Sequence, residues 1–122
     1  MKTDALKSDA AVPLIEMFIE MMAVERGAAA NTLAAYSRDL ADYAGHAAKR
    51  GGSLPAATEA QVTSFLAMLS RRGVSRATAA RKLSTLRQFH RFLVAEGLAV
   101  DDPTANVARP RSGRPLPKVM RE

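Results

Sequence analysis

Apolar residues recur along this chain at steps of three and four, interrupted by glycine and proline, and nowhere alternate with period two. Four helical stretches follow from that pattern. The first is predicted to begin near Pro13, since the missing proline N–H needs no partner in a first turn. Leu14, Phe18, Met21 and Met22 then keep helical spacing, with Ile15 and Ile19 beside them, and Gly27 supplies the stop. The second begins near Asn31 or Thr32 as cap, carries Leu33, Tyr36, Leu40, Tyr43 and Ala47 inward, and ends at Gly51-Gly52. Thr58 with Gln61 three residues on reads as a capping box for a third helix, with Val62, Phe65, Leu66 and Leu69 as its apolar stripe. Ser75 caps a fourth, whose inner stripe is Ala79, Leu83, Leu86, His90 and Leu93, widened by Phe89, before Gly97. Asp102-Pro103 reads as the cap and first residue of a short fifth helix ending near Val107.

The expected fold is therefore all-α, a compact bundle of four main helices plus a short fifth helix. Residues 1–12 are expected to be a flexible N-terminus, and 13–107 the domain. The segment 108–122, with Arg109, Pro110, Arg111, Arg114, Pro115, Pro117 and Lys118, is expected to be an extended linker. A total of 122 residues suits one domain. The absence of cysteine removes disulfides, thiolate metal sites and a cysteine nucleophile. No apolar run is long enough for a signal peptide or a membrane helix, which reads as a cytoplasmic protein with no membrane partner.

Charge changes the picture more by its distribution than by its total. Lys and Arg number 18 against 12 Asp and Glu, a net charge of +6 that makes nucleic acid the first candidate partner. Residues 1–26 hold three bases and five acids, whereas no acid at all lies between Glu59 and Glu96. That interval holds Arg71, Arg72, Arg76, Arg81, Lys82, Arg87 and Arg91. On the fourth helix the face opposite the apolar stripe is the line Ala77, Arg81, Ser84, Gln88 and Arg91, flanked by Arg76, Thr78, Lys82, Thr85 and Arg87. A slim helix face of cations, hydroxyls and an amide fits the DNA major groove, with arginine suited to guanine edges or phosphates and glutamine to adenine. The alternative is a solvated face, although such a face ordinarily mixes signs to gain i,i+4 pairs. The second helix offers a weaker surface of Asn31, Thr32, Ala34, Ala35 and Arg38, which capping and helix propensity explain equally well.

No catalytic constellation emerges. Tyr36 and Tyr43 fall on an inner face and His90 on a core side. His46 lacks a partner at ligand spacing, and Asp39, Asp42 and Glu59 form no evident acid–base pair. No phosphate-binding glycine motif is present. Neither a metal nor a cofactor is expected.

The ordered motifs are similar to those of a known family. Glu25-Arg26-Gly27 with Asn31-Thr32-Leu33-Ala34-Ala35-Tyr36-Ser37-Arg38-Asp39-Leu40 resembles its "ERG…NTLxxYxxDL" signature. Thr78 to Phe89 resembles its "TxxRxLSxLRxF" helix, and Asp102-Pro103-Thr104 followed by Leu116-Pro117-Lys118 resembles its "DDPT…LPK" exit. The family is the tyrosine recombinases, specifically their N-terminal core-binding, SAM-like domain, with spacing most like the bacterial XerD-like branch. The resemblance covers roughly residues 13–118. It implies a DNA-binding module that clamps a recombination half-site together with a separate catalytic domain, and no catalytic residue in these 122. By that resemblance the DNA contacts are Asn31, Thr32 and Arg38 from the second helix. From the fourth they are Arg76, Thr78, Arg81, Lys82, Thr85 and Gln88. Arg81 and Gln88 are expected at bases, and Arg38, Arg76, Thr78 and Lys82 at phosphates. Double-stranded DNA and sister recombinase protomers are the implied partners, with the first helix suited to a protomer contact. Chromosome dimer resolution is the implied role. A phage or transposon integrase, a helical protein-interaction domain without DNA binding, and a small helix-turn-helix regulator are the other readings.

Overall fold

Glycine stops and hydroxyl caps divide the chain into helices much as the pattern predicts. The computed structural model describes residues 2–107, with side chains from Ala10 onward. The expected linker at 108–122 lies outside the described residues. Four α-helices follow one another: α1 (Lys2–Glu25), α2 (Ala30–Lys49), α3 (Glu59–Arg71) and α4 (Arg76–Ala95), with one 3-10 turn at Leu54–Ala56. No strand occurs among the described residues. Gly27 and Gly73, at φ of 62° and 82°, take the left-handed conformation that ends α1 and α3 at little cost.

Two caps form as expected. Thr58 Oγ1 accepts from the Gln61 N–H at 3.2 Å and Gln61 Oε1 accepts from the Thr58 N–H at 2.9 Å, closing the capping box of α3. Ser75 Oγ accepts from the Thr78 N–H at 3.1 Å at the start of α4. The cap expected at Asn31 or Thr32 does not form. α2 starts at Ala30 with Ala29 in the cap position and no side-chain cap. The N–H groups of Arg26 and Ala28 both bond back to Met22 O, so a tight exit from α1 delivers the chain straight into α2.

Two further expectations are corrected. The first helix does not begin near Pro13; it runs from Lys2 with Pro13 inside it. Pro13 forfeits its own backbone bond. The apolar stripe nevertheless extends upstream of it, because Ala11, Ile15, Phe18 and Met22 form one buried line at steps of four, three and four. The short fifth helix is absent, and residues 103–106 form turns. Asp102 Oδ1 accepts from both the N–H and the Oγ1 hydroxyl of Thr104, at 2.8 and 2.6 Å. The backbone bonds Ala105 N–H to Asp102 O and Val107 N–H to Thr104 O span three residues rather than four. Six residues with a proline give too few bonds to offset helix nucleation.

The core gathers around two aromatic groups. Phe18 of α1 packs edge-on to Phe89 and Phe92 of α4, with ring centroids 5.6 and 5.7 Å apart, and lies 6.0 Å from Tyr36 of α2. Tyr43 of α2 meets Phe65 of α3 at 5.3 Å and His90 of α4 at 5.7 Å. Phe18, Tyr43, Phe65 and Phe89 are wholly buried. Replacing Phe18 by Ala is expected to cost about 3–5 kcal/mol in chemical denaturation, because it opens the contact among α1, α2 and α4.

Tyr43 and His90 also bond to each other, hydroxyl to Nε2, at 2.9 Å, while His90 Nδ1 has no partner among the described residues. Burial raises the Tyr43 hydroxyl pKa, so the phenol stays protonated. Burial also lowers His90 from 6.5 to about 4, only partly opposed by Asp102. The unfolded chain therefore takes up this proton first as pH falls. Stability should be lost between about pH 6.5 and pH 4, by roughly 3 kcal/mol at one pKa unit per 1.36 kcal/mol. Denaturation midpoints across that range should fall in the natural chain, and His90→Gln should remove this share of the slope.

Candidate nucleic-acid interface

Helix α4 turns its apolar stripe into the core and leaves Ala77, Arg81, Ser84 and Arg91 exposed, with Gln88 half-buried. That outward line is the one its periodicity predicts. Its character is set by a residue from another helix. Asp39 of α2 is almost wholly buried, and its carboxylate sits between α2 and α4. Arg81 donates to Asp39 Oδ2 through Nη1 at 2.5 Å and to Oδ1 through Nη2 at 3.4 Å. Lys82 Nζ donates to Oδ1 at 2.8 Å, and the Thr85 hydroxyl lies 3.3 Å from Oδ2. One carboxylate therefore gathers two cations and a hydroxyl. Burial without such partners would be prohibitive.

Of the predicted contact residues, the structure brings together Arg81, Lys82 and Thr85, all on Asp39. Thr85 is buried, and its hydroxyl lies between Asp39 and the Arg81 carbonyl. Lys82 keeps only 17% of its side chain exposed, whereas Arg81 keeps 48%. Arg76 is exposed at the start of α4. The Thr78 hydroxyl accepts from Ser75 Oγ at 3.1 Å, which leaves its own proton to donate. The Gln88 amide reaches the Tyr36 hydroxyl only at 3.5 Å, a long contact that leaves it available. On α2, Asn31 and Arg38 are exposed and Thr32 is half-buried. Among the described residues no side-chain bond ties these three to α4.

Arg87, placed beside the outward line by its spacing, is turned away from it. Its Nη1 donates to Thr104 O at 2.9 Å and its Nη2 to Val107 O, so it straps the turns after α4 onto the helix. Asp42 pairs with Arg72 at 3.7 Å near the surface. A groove of about 560 Å³ runs between the end of α1 and α4 from Ala80 onward, with Arg26, Ser84, Arg87, Gln88 and Arg91 in its lining and Glu25 and Glu96 there too. Arg26, Arg87 and Arg91 outnumber these two acids, so the groove continues the positive surplus of the outer face. His46 accepts from Arg50 Nε at 3.2 Å and lies 3.1 Å from Ser64 Oγ. Burial, then the Arg50 cation, lower its pKa, which keeps the ring a neutral acceptor.

The missed residue of the sequence reading is Asp39. Its signal was present: it stands three residues after Tyr36 and four before Tyr43, inside the inner stripe of α2. No helix is long and apolar enough to cross a membrane among the described residues.

Four helices around aromatic contacts, with a cation-rich outer face on the fourth, define a small helical domain with one strongly charged side. The profile of the family described as phage integrase, N-terminal SAM-like domain, matches residues 15–97, and the chain belongs to that family. Among curated proteins it is 50% identical over 105 residues to the tyrosine recombinase XerD of Caulobacter vibrioides, covering 86% of this chain and 34% of that protein. It is 48% identical over 106 residues to the XerD of Agrobacterium fabrum, covering 87% and 32%. To the XerD of Rhizobium meliloti it is 45% identical over 113 residues, covering 93% and 36%. The chain thus spans about a third of the length of these relatives. No solved structure matches it.

The strap made by Arg87 separates it from the cations of the outer face. Arg87→Ala leaves the carbonyls of Thr104 and Val107 without these donors and is expected to lower stability by about 1–3 kcal/mol in urea titration. Amide exchange should quicken at Val107 while the Arg81–Lys82 region stays unaffected.

Proposed function

We propose that this chain is the DNA-binding domain of a XerD-type tyrosine recombinase, and that it holds one half of a recombination site through the outer face of α4 and the first turns of α2. The observation that carries this reading is the cation face of α4, whose sequence interval contains no acid and whose single buried counter-charge, Asp39, leaves a positive surplus. Membership of the integrase N-terminal family and similarity to XerD proteins support it. Phosphates would be met by Arg38, Arg76, Arg91 and the hydroxyl of Thr78, with Asn31 and Thr32 beside Arg38, and Gln88 would reach a base edge. Strand cleavage and transfer would belong to a catalytic domain outside this segment. Sister recombinase protomers on the same DNA, a role in resolving chromosome dimers and a bacterial cytoplasmic setting complete the reading.

Fluorescence anisotropy with a labelled recombination half-site and a scrambled duplex tests it. Binding should weaken steeply with salt. Arg38, Arg76, Arg91 and the Arg81–Lys82 pair counted as one neutralise about four phosphates, for a log–log slope of about −4. The double variant Arg38→Glu/Arg91→Glu, changed at exposed positions only, should lose binding while keeping its helical circular dichroism. Preference for the half-site supports the recombinase reading. No binding to either duplex at low salt would make the face a protein-interaction surface instead.

A further inference from the structure

We propose that Asp39 is a positioning residue for the DNA backbone: it sets Arg81 and Lys82 side by side as a preformed clamp for a single phosphate, carrying one net positive charge. This role rests on the DNA-binding reading above and assigns Arg81 to the backbone rather than to a base.

The geometry points there in three ways. First, the arginine fork is already occupied. A guanidinium carries five N–H groups in a fixed plane. Nη1 and Nη2 each aim one at Asp39, so the end-on pair of donors is turned inward, and Nε–H with the outer Nη hydrogens remains. The remaining N–H groups lie on a side chain that is 48% exposed, and they suit an acceptor that does not demand that end-on pair. A phosphate oxygen is such an acceptor. Second, the carboxylate is saturated and fixed. It is buried to 2% exposure and lies within bonding distance of Arg81, Lys82 and Thr85, so it is a seat for the cations and not itself a ligand site. Long basic side chains lose rotamer freedom when they grip a ligand. Here that ordering is already complete in the unbound fold. Third, the positions one turn earlier on both helices hold small residues. One turn before Asp39 on α2 stands Ala35, and one turn before Arg81 on α4 stands Ala77. Two alanines at these places let a phosphodiester chain approach the seam.

Charge counting makes the clamp measurable. Two cations and one carboxylate leave one positive charge. Asp39→Asn leaves two, enough to neutralise a second, adjacent phosphate, and Lys82→Gln leaves none while keeping the Arg81 and Thr85 contacts to Asp39. Each phosphate neutralised changes the salt slope by about 0.9. Anisotropy titrations of the 122-residue chain against a short mixed-sequence duplex, over a series of salt concentrations, read that slope. The expected slope is steeper than the natural chain's by about 0.9 for Asp39→Asn and shallower by about 0.9 for Lys82→Gln. A merely structural tie between α2 and α4 would alter stability and leave the slope alone. Should Asp39→Asn fail to fold by circular dichroism, Lys82→Gln decides alone. If the natural chain binds the duplex and a folded variant keeps its slope, the clamp is overturned and the DNA-binding reading stands. If the natural chain binds no duplex at low salt, the DNA-binding reading itself falls, and the clamp falls with it.

Discussion

The carboxylate of Asp39 is the constraint on which both the fold and its outer face depend. It joins α2 to α4 at the one place among the described residues where a carboxylate enters the interior, and it does so with three partners from a single stretch of α4. A buried carboxylate is costly unless its lone pairs are filled, and filling them fixes where α4 lies against α2. Apolar contacts such as Phe18 against Phe89 and Phe92 supply the drive to pack, yet they tolerate sliding. An ion cluster with fixed donors does not. The same cluster decides how the cations of α4 present themselves, so packing and the charge of the outer face meet in one group.

Much of this was legible in the sequence. Apolar steps of three and four placed α2, α3 and α4, and the Thr58–Gln61 box and Ser75 located two starts because each cap is a local bond between near neighbours. The failures have a common physical form. The start of α1, the cap of α2 and the turns after α4 are settled by contacts between segments or by competing local bonds. Burial of Ala11 draws the helix through Pro13. The bonds from Arg26 and Ala28 to Met22 replace a side-chain cap. Asp102 closes on Thr104 and leaves only turns.

The candidate face was legible as a line and not as an electrostatic surface. Helical spacing put Arg81, Ser84, Gln88 and Arg91 together, and the structure agrees. Spacing on one helix cannot show that Thr85 is claimed by Asp39 or that Arg87 reaches past the helix end to Thr104 and Val107. The interval without acids looked like unopposed positive charge. Its counter-ion comes instead from 43 positions before Lys82, across a helix contact. An acid inside the apolar stripe of α2 was the available clue.

The central claim is that the seam of α2 and α4 meets a duplex. Amide chemical-shift mapping of the isotopically labelled chain, with and without a short DNA duplex, tests it most directly. The expected perturbations concentrate at residues 31–39 and 76–88, strongest around Asp39, Arg81 and Lys82. Perturbations confined to α3 or to the exposed side of α1, with the seam unchanged, would contradict it.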